Sequence, residues 1–375
     1  MARQILIVPD KFKGSLDATN VARAIADGWS DVWPNDRVEQ LPMSDGGDGF
    51  GVIFGDALGL SEHSFKGVDA ARRDCNVSYW INASSCDAVF EAALSNGLSL
   101  LPKGKFHPFE LDTWGIGQLL LKLGEKKVEN CLVGIGGSAT NDGGFGMASA
   151  MGWHFLDMNG QKILKWTELS GLKSIIKPES HALPAITIAC DVENPLLGSN
   201  GATTVYGPQK GMKEGDFNVA DKCLNQLARI VEDNIGIDFS EIPGAGAAGG
   251  LGFGMMAFAG AKIRSGFELF AEITNLESKI SNSDIVITAE GGIDMQTLMG
   301  KGTGQVASMC RDLKKPCIGL AGVLELSQSE KLKNDVFYHL DSIVPNIAPQ
   351  TDSIADTKKY LKQLTTHLAK SLSEF

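Results

Sequence analysis

The chain has 375 residues, of which 43% are hydrophobic and 21% charged, and its formal net charge is −11. This length predicts about two domains, and the acidic balance argues against the basic surface that a nucleic-acid binder needs. The seven cysteines have no Cys-x-x-Cys spacing, which is typical of reduced thiols in the cytosol. No apolar run predicts a secretory signal or a membrane span. We therefore expect a cytoplasmic protein without nucleic-acid or membrane partners, and no obligate protein partner is indicated.

Strands and helices alternate in the first sixty residues. Residues 4–9 form an apolar run, and the apolar positions between Asp17 and Trp29 recur at helical spacing. Val38 to Met43 is a second candidate strand, and a helix is predicted over 50–60. This order predicts a parallel sheet with helices on its faces.

The middle of the chain follows a different pattern. Short alternating runs between His63 and Leu101 predict antiparallel strands. After them the pattern predicts strands at 130–135 and 185–190 and helices at 112–123, 145–151 and 217–234.

The strand and helix alternation returns near the end of the chain. Strands are predicted at 284–288, 317–321 and 341–344, and helices at 303–313 and 354–372. Because both ends show a doubly wound pattern and the middle does not, we predict an α/β fold with one domain inserted in another. The outer parallel-sheet domain is predicted at 1–65 plus 281–375, and the inserted α/β domain at 66–280. An alternative places 110–136 in the sheet of the outer domain.

Two predicted strand ends carry charged, glycine-containing turns. The turn 9–15 contains Lys11 and Lys13, which could supply cations for a phosphate or carboxylate group. The turn 44–49 contains Asp45 and Asp48, which could hold Mg²⁺ or accept a hydroxyl proton. A solvated surface turn is the alternative for each, but ligands of open α/β sheets bind at the carboxyl ends of strands. We therefore favour a functional role for both turns.

The segment 134–144 is the most specific motif of the chain. A buried strand opens into a loop of small residues that leads to a helix, as in a phosphate cradle. It is not a Walker A motif, because no Gly-Lys-Ser/Thr follows. The loop residues that we predict to bind the nucleotide are Gly136, Gly137, Ser138, Asn141 and Asp142.

The glycine run that begins at Gly244 formally matches a dinucleotide fingerprint. A poor preceding strand and Pro243 directly before the first glycine argue against that context. Close helix packing or a nucleotide contact through Gly246 and Gly249 is the favoured interpretation. A nicotinamide-dependent oxidoreductase remains the weaker alternative.

The predicted strand 284–288 also ends in acidic residues. Glu290 and Asp294 follow it, and Lys301 stands at the start of the next helix. A lysine beside a helix N-terminus is unfavourable unless an anion binds there. These residues therefore extend the predicted phosphate and metal chemistry.

These motifs, in this order, resemble the class I glycerate kinase family, which transfers the γ-phosphoryl group of ATP to glycerate. The resemblance runs from 9–16 to Asp294 and Lys301 and includes 136–144, 191–196, 207–211 and 244–250. It implies a flavodoxin-like domain interrupted by a second α/β domain, an active cleft between them, and 2-phosphoglycerate as the product.

With this resemblance, the candidate residues receive roles in phosphoryl transfer with ATP and Mg²⁺ as cofactors. Lys11, Lys13 and Lys301 are assigned to phosphate or to the glycerate carboxylate. Asp45, Asp48 and Asp294 are candidates for Mg²⁺ or for the catalytic base, and Asp191 and Asn194 are expected to line the site. The identity of the base stays open among the carboxylates.

One departure from the family pattern concerns substrate binding. Where the family commonly has an arginine, this chain has Gly292. The lost cation motivates a second alternative, a non-catalytic sensor of sugar acids.

Overall fold

The computed structural model describes residues 2–82, 86–179, 182–298, 302–324 and 336–372. The chain forms two compact units, Met1–Ser44 with Phe267–Phe375 and Asp45–Gly266. The second unit is thus an insertion in the first. These boundaries differ from those expected at 65 and 281, and strand pairing explains the first difference, because residues 61–68 pair with 74–81 of the inserted unit.

The strands of the described residues are β1 (Gln4–Ile7), β2 (Arg37–Gln40), β3 (Ser61–Val68), β4 (Asp74–Ile81), β5 (Asp87–Glu91), β6 (Asn130–Gly134), β7 (His154–Leu156), β8 (Ser174–Ile176), β9 (Ala185–Ala189), β10 (Lys262–Arg264), β11 (Ile285–Ile293), β12 (Cys317–Leu324) and β13 (His339–Val344).

The α-helices of the described residues are α1 (Ala18–Ser30), α2 (Phe50–Ala57), α3 (Ala93–Asn96), α4 (Trp114–Glu125), α5 (Phe145–Ala150), α6 (Ala202–Lys210), α7 (Glu214–Ile235), α8 (Ala247–Ala259), α9 (Gly266–Thr274), α10 (Leu276–Ser281), α11 (Met295–Leu298), α12 (Gly302–Asp312), α13 (Gln350–Ala355) and α14 (Thr357–Ser371). None of these helices is long and apolar enough to cross a membrane.

The first unit contains a parallel sheet with the order β13-β12-β11-β1-β2. Numbered along the chain, these strands have the spatial order 2-1-3-4-5 of a flavodoxin-like doubly wound fold. The α/β prediction is confirmed, and so are the strands expected at 284–288, 317–321 and 341–344.

Two long helices pack together on this sheet. The apolar stripe of α1 and the leucines of α14 share one buried cluster with the central strands. The helices approach closely at Gly28, where a Cβ atom would lie 2.8 Å from Cβ of Thr365. Asp17 caps α1 by accepting a hydrogen bond from the Asn20 N–H at 2.8 Å.

The second unit contains a six-stranded mixed sheet with the order β10-β9-β6-β5-β4-β3. Strand β4 runs antiparallel to both neighbours, as predicted for the region after His63. The strands β5, β6, β9 and β10 are parallel. Residues 110–136 do not join the first sheet, since β6 pairs with β5 and β9. Four strands of this unit therefore end at one edge.

Candidate active site

The carboxyl ends of the four parallel strands in the second unit collect the predicted motifs. The loop 45–49 packs on this edge, because the Gly46 carbonyl accepts a hydrogen bond from the Gly136 N–H at 2.9 Å. Gly46 has a φ of +107°, and a Cβ atom there would collide with the Ala189 carbonyl at the end of β9. Only glycine allows this loop to lie so close to two strand ends.

Three of the predicted carboxylates occur at this edge. Asp48 is exposed and lies beside the loop that follows β6, since a Cβ atom at Gly137 would lie 2.7 Å from Asp48 Oδ1. Asp191 is exposed, and its Oδ1 accepts hydrogen bonds from Ser265 Oγ at 2.6 Å and the Gly266 N–H at 2.9 Å. The backbone of half-buried Asp45 lies against Gly266, which places Asp45 next to Asp191.

The thiol of Cys190 lies among these carboxylates. Burial raises the pKa of Cys190 to about 11, and the negative charges of Asp191 and Asp45 act in the same direction. The thiol is therefore protonated at neutral pH and is a poor nucleophile. The chemistry of this edge depends on its carboxylates.

The geometry fits the metal prediction for Asp45 and Asp48 but does not form a complete metal site. Within the described ranges, no group of three His, Cys, Asp or Glu side chains could hold a metal ion. Asp45 and Asp48 share one loop, whereas Asp294 belongs to the first unit. Mg²⁺ is commonly held by one or two carboxylates together with water and substrate phosphates. Asp45 and Asp48 fit such a substrate-bound ion and do not form a closed metal cage.

The loop after β6 presents backbone donors at the same edge. Gly137 is exposed with a φ of +77°. Its carbonyl accepts a hydrogen bond from the Leu98 N–H, but across the described residues the N–H groups of Gly137 and Ser138 have no protein acceptor. Successive N–H groups next to a left-handed residue form a concave anion site. We call Gly136, Gly137 and Ser138 the anion loop.

Asp142 has a different environment from the anion loop. Its buried carboxylate accepts hydrogen bonds from the Thr113 N–H and Oγ1 at 2.9 and 2.8 Å and from the Gly146 N–H at 2.9 Å. A longer bond of 3.2 Å comes from the Gly144 N–H. Burial, with a smaller contribution from Asp112, raises the Asp142 pKa to about 6. The carboxylate faces protein donors, and its predicted nucleotide contact stays a prediction.

Asn141 and Ser138 form part of a buried polar cluster below the loop. Asn141 Nδ2 donates to Thr203 Oγ1 at 3.1 Å, and among the described residues Asn141 Oδ1 has no hydrogen-bond partner. Ser138 Oγ accepts a hydrogen bond from Lys210 Nζ at 3.0 Å. Lys210 belongs to the family-like segment 207–211, but the sequence had indicated no role for it.

The glycines Gly246 and Gly249 are buried at the start of α8. A Cβ atom at Gly246 would collide with the Pro195 carbonyl, and one at Gly249 with the Thr140 carbonyl. No strand precedes them in the described residues 236–246, so the dinucleotide context is absent. Their environment matches the interpretation as close packing, and a nucleotide contact stays a prediction.

The first unit carries a second group of predicted residues. The turn after β1 lies against β11, because the Asp10 N–H donates to the Ala289 carbonyl at 2.8 Å. Lys11 is half-buried in this turn and Lys13 is exposed. Asp294 Oδ1 accepts a hydrogen bond from the Thr297 N–H at 3.2 Å, and Glu290 Oε2 accepts one from Thr297 Oγ1 at 3.3 Å. Lys301 lies outside the described residues.

Several polar residues of these sites were missed, and the partners of Glu91 and Ser265 are distant in sequence. Glu91 ends the apolar strand β5 and accepts hydrogen bonds from the N–H groups of Gly49 at 3.0 Å and Gly51 at 3.3 Å. Ser265 supports Asp191, and Thr297 joins Glu290 to Asp294. Only Glu91 had a local signal, since a charged residue at the end of a buried strand usually has a partner.

The fold and this edge define an α/β protein that combines a glycine loop presenting backbone N–H donors with exposed carboxylates at strand ends. A sequence model of the glycerate kinase family matches residues 5–373. Glycerate kinase from Halalkalibacterium halodurans is 38% identical over 371 residues, which cover 97% of each chain. Glycerate 2-kinase from Escherichia coli is 38% identical over 331 residues, covering 86% of this chain and 85% of the relative.

A crystal structure from Salmonella typhimurium LT2, provisionally assigned as glycerate kinase 2, matches the fold with a TM-score of 0.82. The two chains are 32% identical, and the match covers 100% of this chain and 99% of that one. The chain belongs to the glycerate kinase family and is therefore a kinase. The resemblance seen in the motifs is confirmed.

The buried position of Asp142 predicts a loss of stability on substitution. Asp142→Asn keeps one acceptor oxygen but turns an N–H₂ group toward a backbone donor. We expect a cost of about 1–3 kcal/mol for the buried donor that loses its acceptor, and a larger cost for Asp142→Ala. Calorimetric melting at neutral pH measures both. The exposed control Asp48→Asn should melt like the wild type, and an unchanged melting temperature for Asp142→Ala would contradict the scaffold role.

Proposed function

We propose that this chain transfers the γ-phosphoryl group of ATP to the 2-hydroxyl group of glycerate with Mg²⁺ as the metal. The observation that carries the proposal is the edge of the second unit, where the N–H groups of Gly137 and Ser138, which have no protein acceptor among the described residues, adjoin Asp45, Asp48 and Asp191. The names of the most similar relatives, glycerate kinase and glycerate 2-kinase, support the substrate and the position of transfer.

Phosphoryl transfer needs positioning and charge neutralisation more than covalent chemistry from the protein. Preorganised N–H groups bind phosphoryl oxygens without reorganisation, because their direction is fixed by the backbone. The N–H groups of Gly137 and Ser138 supply this function in the proposal, while the Gly136 N–H is bonded to the Gly46 carbonyl. The left-handed conformation of Gly137 fixes the direction of its neighbours' N–H groups.

The carboxylates divide into two roles. Mg²⁺, when bound, neutralises charge on the phosphate oxygens, and Asp45 and Asp48 would hold it. Asp191 is exposed, and the hydrogen bonds that its Oδ1 accepts from Ser265 and Gly266 fix the orientation of the carboxylate toward a substrate hydroxyl in the proposal. Asp191 is thus a candidate base beside Asp45, and a fixed side chain favours proton transfer.

The residues of the first unit complete the proposed set. Lys11 and Lys13 carry positive charge on the turn after β1 and would bind the glycerate carboxylate or a phosphate. Asp294 and Glu290 are held by Thr297 at the end of β11. These assignments, with Lys301, remain proposals for substrate and nucleotide contact.

The experiment that tests the function is a ³¹P NMR spectrum of the product formed from ATP and D-glycerate. A 2-phosphoglycerate resonance is expected. A 3-phosphoglycerate product would contradict the position of transfer, and the absence of any phosphoglycerate would contradict the function. NADH titration in the same preparation should show no binding, and ligand binding without turnover would instead favour a sugar-acid sensor.

Metal dependence follows from the two carboxylates of the loop 45–49, the half-buried Asp45 and the exposed Asp48. Without a divalent cation, the phosphate charges repel both these carboxylates and the incoming hydroxyl. We expect chelation to abolish turnover and added Mg²⁺ to restore it, as measured by ADP release. Full activity in excess chelator would exclude the metal assignment.

Asp45→Asn tests the role of the half-buried carboxylate. The substitution keeps the size of the side chain but removes its charge, so kcat should fall by about 10²-fold or more while stability changes little. Steady-state kinetics and melting temperature measure the two effects. The exposed Asp74→Asn in β4 is a matched charge control. Activity within a few-fold of wild type would transfer the role to Asp191 or Asp294.

Gly292→Arg tests the departure from the family pattern. Gly292 is exposed, its φ lies outside the left-handed region, and a Cβ atom would meet nothing within 4 Å. A new charge-assisted hydrogen bond is worth about 1.5–3 kcal/mol, so KM for glycerate or ATP should fall roughly tenfold or more. Gly171→Arg adds the same side chain at another open glycine and should leave both KM values unchanged. Equal KM values for all three proteins would show that Gly292 does not affect substrate binding.

A further inference from the structure

Lys210 is a buried lysine whose side chain donates, within the described residues, only to the anion loop and to the residue two positions after it. Lys210 is the last residue of α6, and its Nζ lies 3.0 Å from Ser138 Oγ and 2.6 Å from the Thr140 carbonyl oxygen. The residue is 5% exposed. Throughout the described part of the chain, Lys210 forms no ion pair. A buried ammonium without a carboxylate partner is costly, so its retention suggests a function.

The chemistry of an ammonium group fixes the direction of the hydrogen bond with Ser138. An ammonium has three N–H donors and no acceptor. Ser138 Oγ must therefore accept from Lys210, and the hydroxyl proton of Ser138 must point to another acceptor. Oγ then carries a donor next to the N–H groups of Gly137 and Ser138, which also have no protein acceptor among the residues described. Three donors of one loop are thereby available for an anion.

A neutral amine would have the opposite effect. Without its third proton, the Lys210 nitrogen has a lone pair and can accept the hydroxyl proton of Ser138. The anion loop would then lose one donor and the nearby positive charge. The protonation of Lys210 thus controls how many donors the loop offers.

We propose that Lys210 is a positioning residue for phosphoryl transfer, which orients the Ser138 hydroxyl as a donor toward the phosphate oxygens bound at the anion loop. This inference rests on the proposed kinase function, because it takes the anion loop as the phosphate site. Lys210 itself does not touch the substrate in this proposal. Its effect passes through one hydrogen bond to Ser138.

The charged groups around Lys210 support a pH dependence of the hydrogen bond through which Lys210 orients Ser138. Burial lowers the Lys210 pKa to about 7, and Asp142 opposes that shift. From α7, Asp221 reaches the same cluster through its hydrogen bond with Thr203. Helix α8 also packs against α6 and contains no titratable side chain. The ammonium is present below about pH 7 and is lost as the pH rises, so phosphate binding should weaken in that direction.

The test compares wild type with Lys210→Met, Ser138→Ala and the double variant. Lys210→Met should raise KM or Kd for ATP about tenfold or more, as expected for one hydrogen bond to a charged partner. Its melting temperature should stay equal or rise, because the variant removes an unpaired buried charge. Lys222→Met removes an exposed lysine of α7 and should behave as wild type.

Two further readouts separate positioning from a structural role. In the Ser138→Ala background, Lys210→Met should have no additional effect on ATP affinity, because the route through the hydroxyl is already absent. In wild type, ATP affinity should decrease as the pH rises through about 7. This decrease should be absent in both single variants. Additive effects, or a fall in melting temperature with an unchanged affinity, would overturn the proposal.

Calorimetric ATP binding keeps the test independent of turnover. A wild type that binds ATP but does not phosphorylate glycerate would contradict the proposed function, while the variants would still report on Lys210. A wild type that phosphorylates glycerate with variants of equal ATP affinity would overturn the role of Lys210 alone. A wild type that binds no ATP would overturn both.

Discussion

The close approach of the loop 45–49 to the strand ends of the second unit is the constraint on which the candidate site depends. Gly46 bonds to Gly136 and lies against the carbonyl of Ala189, so three segments that are distant in sequence meet through their backbones. Any Cβ atom at Gly46 would separate them. Glu91 fixes the far end of the same loop through the Gly49 and Gly51 N–H groups. The positions of the carboxylates are consequences of these backbone contacts.

The site also shows a division between exposed and buried charge. Asp48 and Asp191 are exposed, whereas Asp142 and Lys210 are buried. Exposed carboxylates can exchange water for metal or substrate at little cost. The two buried charges hold the segment 138–144 in place. Asp142 accepts a hydrogen bond from the Gly144 N–H, and Lys210 donates hydrogen bonds to Ser138 and Thr140. The buried residues thus orient the loop, and the exposed carboxylates are the candidates for the chemistry.

Much of the fold followed from the sequence because its signals are local. Strand and helix periods and glycine-containing turns at strand ends predicted the doubly wound sheet and the neighbourhood of Asp45, Asp48 and the anion loop. The start of the inserted unit at Asp45, and not near residue 65, was not predictable from local signals, since residues 61–68 belong to that unit through the pairing of β3 with β4. Lys210 was missed for the same reason, and the protein partners of Asp142 could not be predicted from local signals. Whether a charged side chain faces a ligand or the core depends on partners tens of residues away.

Asp142 and Lys210 affect stability in opposite directions along the pH scale. Asp142 has a folded pKa of about 6, above its ordinary 3.8, so its contribution to stability is lost as pH rises through that interval. Lys210 has a folded pKa of about 7, below its ordinary 10.5, so its destabilising effect is full below about pH 7 and is relieved above it. Both groups are charged, and both costs are present, between about pH 6 and 7. A fold selected for stability alone would contain neither charge. The retention of both is consistent with a loop whose donors must face an anion.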